Sequence, residues 1–226
     1  MVIAGVVGEK KLWKELKKIG VKDSKILTPR KRTILCKKIE NLVETTIVVR
    51  VQPCRIVYYK KKGINLDEVE AAKMAEIIKI SKADIAYVDA LGQNPRRFRS
   101  LLSSYLKDEK CKLVVGNHLD ETNPFVAAAS IVAKVNRDES IESLKKKVGF
   151  DFGVGYSHDE RTREFIRRIM TREEEKPRYV RWHWSTIEDI ANELVENRRK
   201  VKPWVRKEIL GGIQKKIKDF FRKKKK

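Results

Sequence analysis

DIAYVDALGQNPRRFRSLLSSYLKDEKCKLVVGNHLDETNPFVAAASIVAKVNRDESIESLKKKV, residues 84–148, decides the fold. It opens on DIAYVDA (84–90), a β-type run that ends in a carboxylate. Residues 95–107 read as a helix, KLVVGN (112–117) as a strand and NPFVAAASIVAKVNRDESIESLKKKV (123–148) as a long helix. Strands alternating with helices predict an α/β architecture. The Ala and Ser run of the long helix allows its backbone to approach a sheet closely. The same alternation extends upstream. VIAGVV (2–7) reads as a buried strand and residues 9–19 as a short helix. Thr28 is placed to cap a helix that has Pro29 at its first position and runs to about Asn41. TTIVVRVQ (45–52) is a strand of β-branched residues. Asn65 caps a helix through EAAKMAEIIKI, with Asp67 and Glu68 in the turn where the dipole favours acids. Downstream, Gly153, Gly155 and Tyr156 mark a loop, and residues 159–171 and 185–199 read as helices. Lys202-Pro203 marks the start of a distinct tail. No internal repeat is present.

Composition narrows the class. At 41% hydrophobic over 226 residues the chain has material for a core, which excludes global disorder. No run of ~18 apolar residues exists to span a membrane. The short apolar start follows no basic segment, and Cys36, Cys54 and Cys111 are scattered. Both features predict a reduced, cytoplasmic protein without a disulfide framework or zinc site. The net charge of +22 is uneven: residues 198–226 carry +12 and the rest +10. Such a balance favours a polyanion partner, nucleic acid ahead of an anionic membrane. The competing reading is a solvated, charge-rich surface at 37% DEKR.

Two carboxylates stand out. Asp89 closes a strand, at the edge where open α/β sheets bind ligands. Asp138 lies on the long helix in register with Ser130 and Lys134. Alone, each also suits a helix cap or a surface ion pair. Together they could share one hard divalent cation, but two carboxylates rarely hold two metals. Residue types by themselves reach a basic α/β protein, with metal-dependent nuclease as one function.

Five blocks carry a resemblance: VKDSKILTPRKR (21–32), YVDA (87–90), ASIVAKVNRDE (129–139), GVGYSHDERT (153–162) and RWHWST (181–186). In this order and spacing they resemble archaeal-like type 2 ribonuclease H (ribonuclease HII) over about residues 1–190. The resemblance implies a ribonuclease-H-like mixed sheet flanked by helices, with a helical C-terminal region. It divides the chain into a catalytic domain (1–150), a helical substrate-binding region (151–200) and a basic tail (201–226). It implies endonucleolytic hydrolysis of the RNA strand of RNA–DNA hybrids, and of ribonucleotides embedded in DNA, with 5′-phosphate ends. Mn2+ or Mg2+ held by four carboxylates would serve the reaction, and the protein would be a monomer. By position Asp89 resembles the third carboxylate and Asp138 the fourth. Tyr156 resembles a tyrosine that stacks near the ribonucleotide, where the 2′-hydroxyl separates RNA from DNA. Asp23, Ser24 and Lys25 match a block beside the substrate groove. Ser157-His158 departs from the family's Pro-Ser, and Leu119 stands where Lys is usual.

The family also opens on a strand leading into Asp-Glu-Ala-Gly-Arg-Gly, which supplies two further carboxylates. That motif is absent from these residues, and Met1 falls on an internal position of the family pattern. The expectation is a chain begun at an internal methionine, short of one central strand. Either a gap or a forced pairing of strand 2–7 with 84–90 would follow, with poor folding and little hydrolysis. The alternative is an inactive hybrid-binding or clamp-associated protein.

Gln214, Ile217, Phe220 and Phe221 fit the spacing of a sliding-clamp (PCNA) interaction motif. One helical turn gathers the three apolar side chains into a plug, and the flanking lysines add electrostatic steering. An amphipathic helix through Ile209, Ile213, Ile217 and Phe220 packing on the body is the plainer reading. Replacing Phe220 and Phe221 by Ala is expected to abolish clamp binding in a pull-down while hybrid binding persists.

Overall fold

The computed structural model describes residues 1–21, 27–90, 94–107 and 110–211. The chain divides into two compact units, Met1–Ser140 and Ile141–Lys226.

In the first unit, β1 (Val2–Val7) pairs antiparallel with β2 (Thr45–Arg50), Ile3 opposite Val49. Between them run α1 (Leu12–Lys18) and α2 (Pro29–Leu42). Thr28 caps α2 as its position predicts, its hydroxyl accepting the Lys31 N–H at 3.3 Å. Next come α3 (Pro53–Lys61) and α4 (Leu66–Ser81). A capping box opens α4: Asn65 accepts the Glu68 N–H at 2.9 Å while Glu68 accepts that of Asn65 at 2.7 Å. β3 (Ile85–Asp89), α5 (Pro95–Tyr105), β4 (Lys112–Gly116), the single turn α6 (Leu119–Thr122) and α7 (Pro124–Val148) follow. β3 and β4 are parallel, as a helical crossover requires.

The antiparallel and parallel pairings of the expected mixed sheet are both present, as two separate two-stranded ladders. Strands 2–7 and 84–90 are not paired among the described residues. Two cores cover the ladders. Leu16, Leu35 and Ile39 meet Ala128, Ile131 and Val132 of α7, with Ala4 and Val6 of β1 against them. Ala71, Ala75 and Ile78 of α4 meet Val88 of β3 and Phe98 and Leu102 of α5. Asn123 starts α7 by accepting the Phe125 and Val126 N–H groups. α3 was not foreseen: it buries no side chain and so has no apolar stripe to read.

The second unit packs α8 (Glu160–Arg172) against α9 (Ser185–Glu196) and a π-helical segment, Val205–Leu210. Phe165, Ile169 and Met170 meet Ile187, Ile190 and Leu194. Arg167 and Arg163 of α8 both reach Glu193 of α9, at 3.2 and 3.4 Å. The Trp182 indole donates to the Pro177 carbonyl at 2.7 Å. Val205 and Ile209, expected in a separate tail, are buried in this core. Their i, i+4 spacing puts both on one helical face.

At Gly5 a methyl group would come within 2.4 Å of the Ile77 γ2 carbon. Ile77 is β-branched and buried, so it cannot swing aside cheaply. Gly5→Ala is expected to cost ~1–3 kcal/mol, read as a lower denaturant midpoint.

Candidate active site

The site begins with strand register. Asp89 is the last residue of β3 and lies opposite Gly116, the last of β4, and the Ala90 N–H donates to the Gly116 carbonyl at 2.9 Å. Two residues on, His118 takes a left-handed conformation (φ 57°) and turns the chain into α6. That turn brings the His118 and Leu119 N–H groups to the Asp89 carboxylate, where they favour its charged form. It also carries Asp120 into the interior, where 3% of its surface is exposed.

Asp89 and Asp120 form an electrostatically strained pair. Burial pushes the Asp89 carboxyl above its ordinary range, and the Asp120 charge pushes it further. The two backbone N–H groups and His118 act against that shift. One oxygen of each carboxylate, Oδ1 in both, is buried with no hydrogen-bond donor among the described residues. Buried acceptors are normally satisfied, so each orphaned oxygen has room in its bonding for a donor or cation from outside the protein. Paired hard oxygens with surplus negative charge fit a divalent cation such as Mg2+ or Mn2+. No cluster of three or more potential ligands occurs among the described residues.

Asp138, expected beside Asp89 as a metal carboxylate, has a different setting. Its Oδ2 accepts from Arg32 Nη2 at 2.8 Å and its Oδ1 from Arg137 Nη1 at 3.1 Å. Arg32 is buried and also donates to the Leu27 carbonyl at 2.6 Å. With a guanidinium on each oxygen, Asp138 is an ion-pair anchor between α7 and α2. Asp120 takes the place beside Asp89. In the sequence it looks like an ordinary acid in the first turn of a helix. The signal available was its position just past a strand parallel to the one that carries Asp89.

Tyr156 stands on a braced loop of the second unit. Gly153 and Gly155 have φ of 74° and 72°. Asp159 Oδ2 accepts the Val154 N–H at 2.6 Å, and Thr162 accepts that of Gly155 at 3.0 Å. Thr162 in turn donates to the Phe152 carbonyl at 2.8 Å. A Cβ on Gly153 would lie 2.0 Å from the Asp159 carboxylate, so only glycine fits there. The hydrogen bond from Val154 leads in holding the Asp159 carboxyl below its usual range. Asp23, Ser24 and Lys25, and Gln214, Ile217, Phe220 and Phe221, lie outside the described residues.

Similarities to known proteins cover most of the chain. The family model described as Ribonuclease HII matches residues 1–187. A ribonuclease HII of Caldivirga maquilingensis is 45% identical over 195 residues, 85% of this chain and 88% of the relative. Among solved structures, the PCNA:RNase HII complex from Archaeoglobus fulgidus contains a chain 36% identical, with a TM-score of 0.73 over 84% of this chain and 88% of that one. Ribonuclease H2 from Pyrococcus horikoshii OT3 is 32% identical, with a TM-score of 0.72 over 87% of this chain and 100% of its own.

The raised Asp89 value sets a pH dependence. Its penalty is absent below the ordinary Asp value of 3.8, grows as pH rises and is complete above the raised folded value. Asp89→Asn is therefore expected to raise the melting temperature at neutral pH with chelator present. The gain should vanish in melts at about pH 3.

Proposed function

The chain belongs to the ribonuclease HII family, and we propose on that footing that it hydrolyses RNA within RNA–DNA hybrids and ribonucleotides embedded in DNA. The cut is endonucleolytic and leaves 5′-phosphate ends. The observation that carries the reading is the Asp89–Asp120 pair, with its two orphaned buried oxygens. A divalent cation, Mn2+ or Mg2+, held by Asp89 and Asp120 would supply positive charge for the scissile phosphate and a more acidic attacking water.

The chain's own groups do the rest. The His118 and Leu119 N–H groups hold Asp89 in place. Arg32 and Arg137 keep Asp138 engaged and away from that role. Tyr156, exposed on its glycine loop, offers a ring to the sugar or base next to the cut. Asp23, Ser24 and Lys25 contact the nucleic-acid backbone in the groove. The body's positive charge attracts the duplex. Gln214, Ile217, Phe220 and Phe221 dock the protein on a sliding clamp. The Archaeoglobus fulgidus structure, a complex with PCNA, supports a sliding clamp as partner.

One observation favours a second reading. The described residues bring only two carboxylates together, with no third ligand beside them. Two carboxylates are a thin base for a two-metal clamp, so these 226 residues are expected to hydrolyse slowly. In the extreme case they bind hybrid or clamp without cutting.

Mn2+ tests the site apart from turnover. At a hundred times its dissociation constant, Mn2+ is expected to stabilise the wild-type protein by about 2.7 kcal/mol in denaturant titrations. Asp89→Asn and Asp120→Asn should each remove that gain, while Asp138→Asn should keep the Mn2+ response despite a lower baseline. A parallel assay on a duplex with one embedded ribonucleotide reads cleavage. Mn2+ stabilisation that survives both Asp89→Asn and Asp120→Asn would refute the assignment of the pair.

A further inference from the structure

We infer that His158 is a positioning residue for Tyr156: its imidazole stacks on the tyrosine ring and holds that ring as a fixed platform for the nucleic acid. The inference rests on the nucleic-acid reading given above for Tyr156.

The placement follows from the backbone. The Asp159 N–H donates to the Tyr156 carbonyl at 3.1 Å and closes a four-residue turn, Tyr156-Ser157-His158-Asp159. A turn of this kind brings side chains two apart in sequence onto one side of the chain. The two rings lie nearly parallel, 9° between planes and 5.5 Å between centroids, in an offset stack. Neither ring belongs to the core. Both residues are exposed, Tyr156 at 38%, so the contact serves no buried packing.

Both ends of the turn are anchored independently of the stack. Ahead of it, the Gly155 N–H is held by Thr162. Behind it, Asp159 caps α8 by accepting the Arg161 N–H at 3.0 Å and reaches back to the Val154 N–H. The backbone is therefore fixed at both ends of the turn, and the ring stack acts on the Tyr156 side-chain torsions. A stacked imidazole removes much of their freedom before any ligand arrives. Stacking on a base or sugar then costs less ordering of the protein.

Binding of an RNA–DNA hybrid by the full chain, followed by fluorescence anisotropy in EDTA, tests this without turnover. His158→Ala is expected to weaken binding about three- to ten-fold, the scale of one aromatic pair. His158→Phe keeps a flat ring and should restore wild-type affinity. In a Tyr156→Ala background, His158→Ala should have no further effect. Melting temperatures should agree across the set, which separates positioning of Tyr156 from support of the fold. Unchanged affinity in His158→Ala overturns the inference. So does an equal loss in the Tyr156→Ala background, since His158 would then touch the duplex directly. If the wild-type chain fails to bind hybrid at all, the functional reading itself falls and takes this one with it.

Discussion

Two ladders, each two strands wide, have too little hydrogen bonding and too little covered area to persist in water unaided. In the first unit the element they share is α4. One part of its surface presses Ile77 into the space over Gly5 of β1. Another contributes Ala71, Ala75 and Ile78 to the core that also holds Val88 of β3 and Phe98 and Leu102 of α5. Asp89 is the residue after Val88, and its place follows from that packing.

The carboxylate pair shows how a fold carries a locally unfavourable arrangement. Asp89 and Asp120 repel, and both lie partly or wholly out of water. Two structures that exist for other reasons make this tolerable. The parallel pairing of β3 with β4 brings the chain back beside Asp89. The first turn of α6 must leave N–H groups without helical partners, and those of His118 and Leu119 are spent on Asp89. The strain remaining is the part that a cation would relieve.

Much of this was legible in the sequence where the signal was local. Thr28 and Asn65 cap where they were expected to, because a cap is decided by residues within one turn. The strands around 2–7, 45–50, 85–89 and 112–116 were plain from β-branched runs. Asp89 is legible as a carboxylate at a strand end, and it does close β3. The burial of Asp120 is not legible, because a four-residue helix has no periodicity and a first-turn acid is unremarkable. The partners of Asp138 are hidden for the opposite reason. Its helix register is clear, but the arginine that occupies it lies 106 residues away. Val205 and Ile209 were read with a tail because charge dominates their neighbourhood, while two apolar side chains a turn apart were enough to join a core.

The Arg32–Asp138 pair also bears on how this sequence can change over generations. Arg32 is 7% exposed, and its charge is balanced by a carboxylate more than a hundred positions away. Losing Asp138 takes the carboxylate from a buried guanidinium, a far larger penalty than the pair's net worth, whereas Asp138 without Arg32 keeps Arg137 and partial contact with solvent. Drift at position 138 is therefore blocked unless position 32 moves with it. Two sites that look independent along the chain are held to a common fate by one contact between α2 and α7.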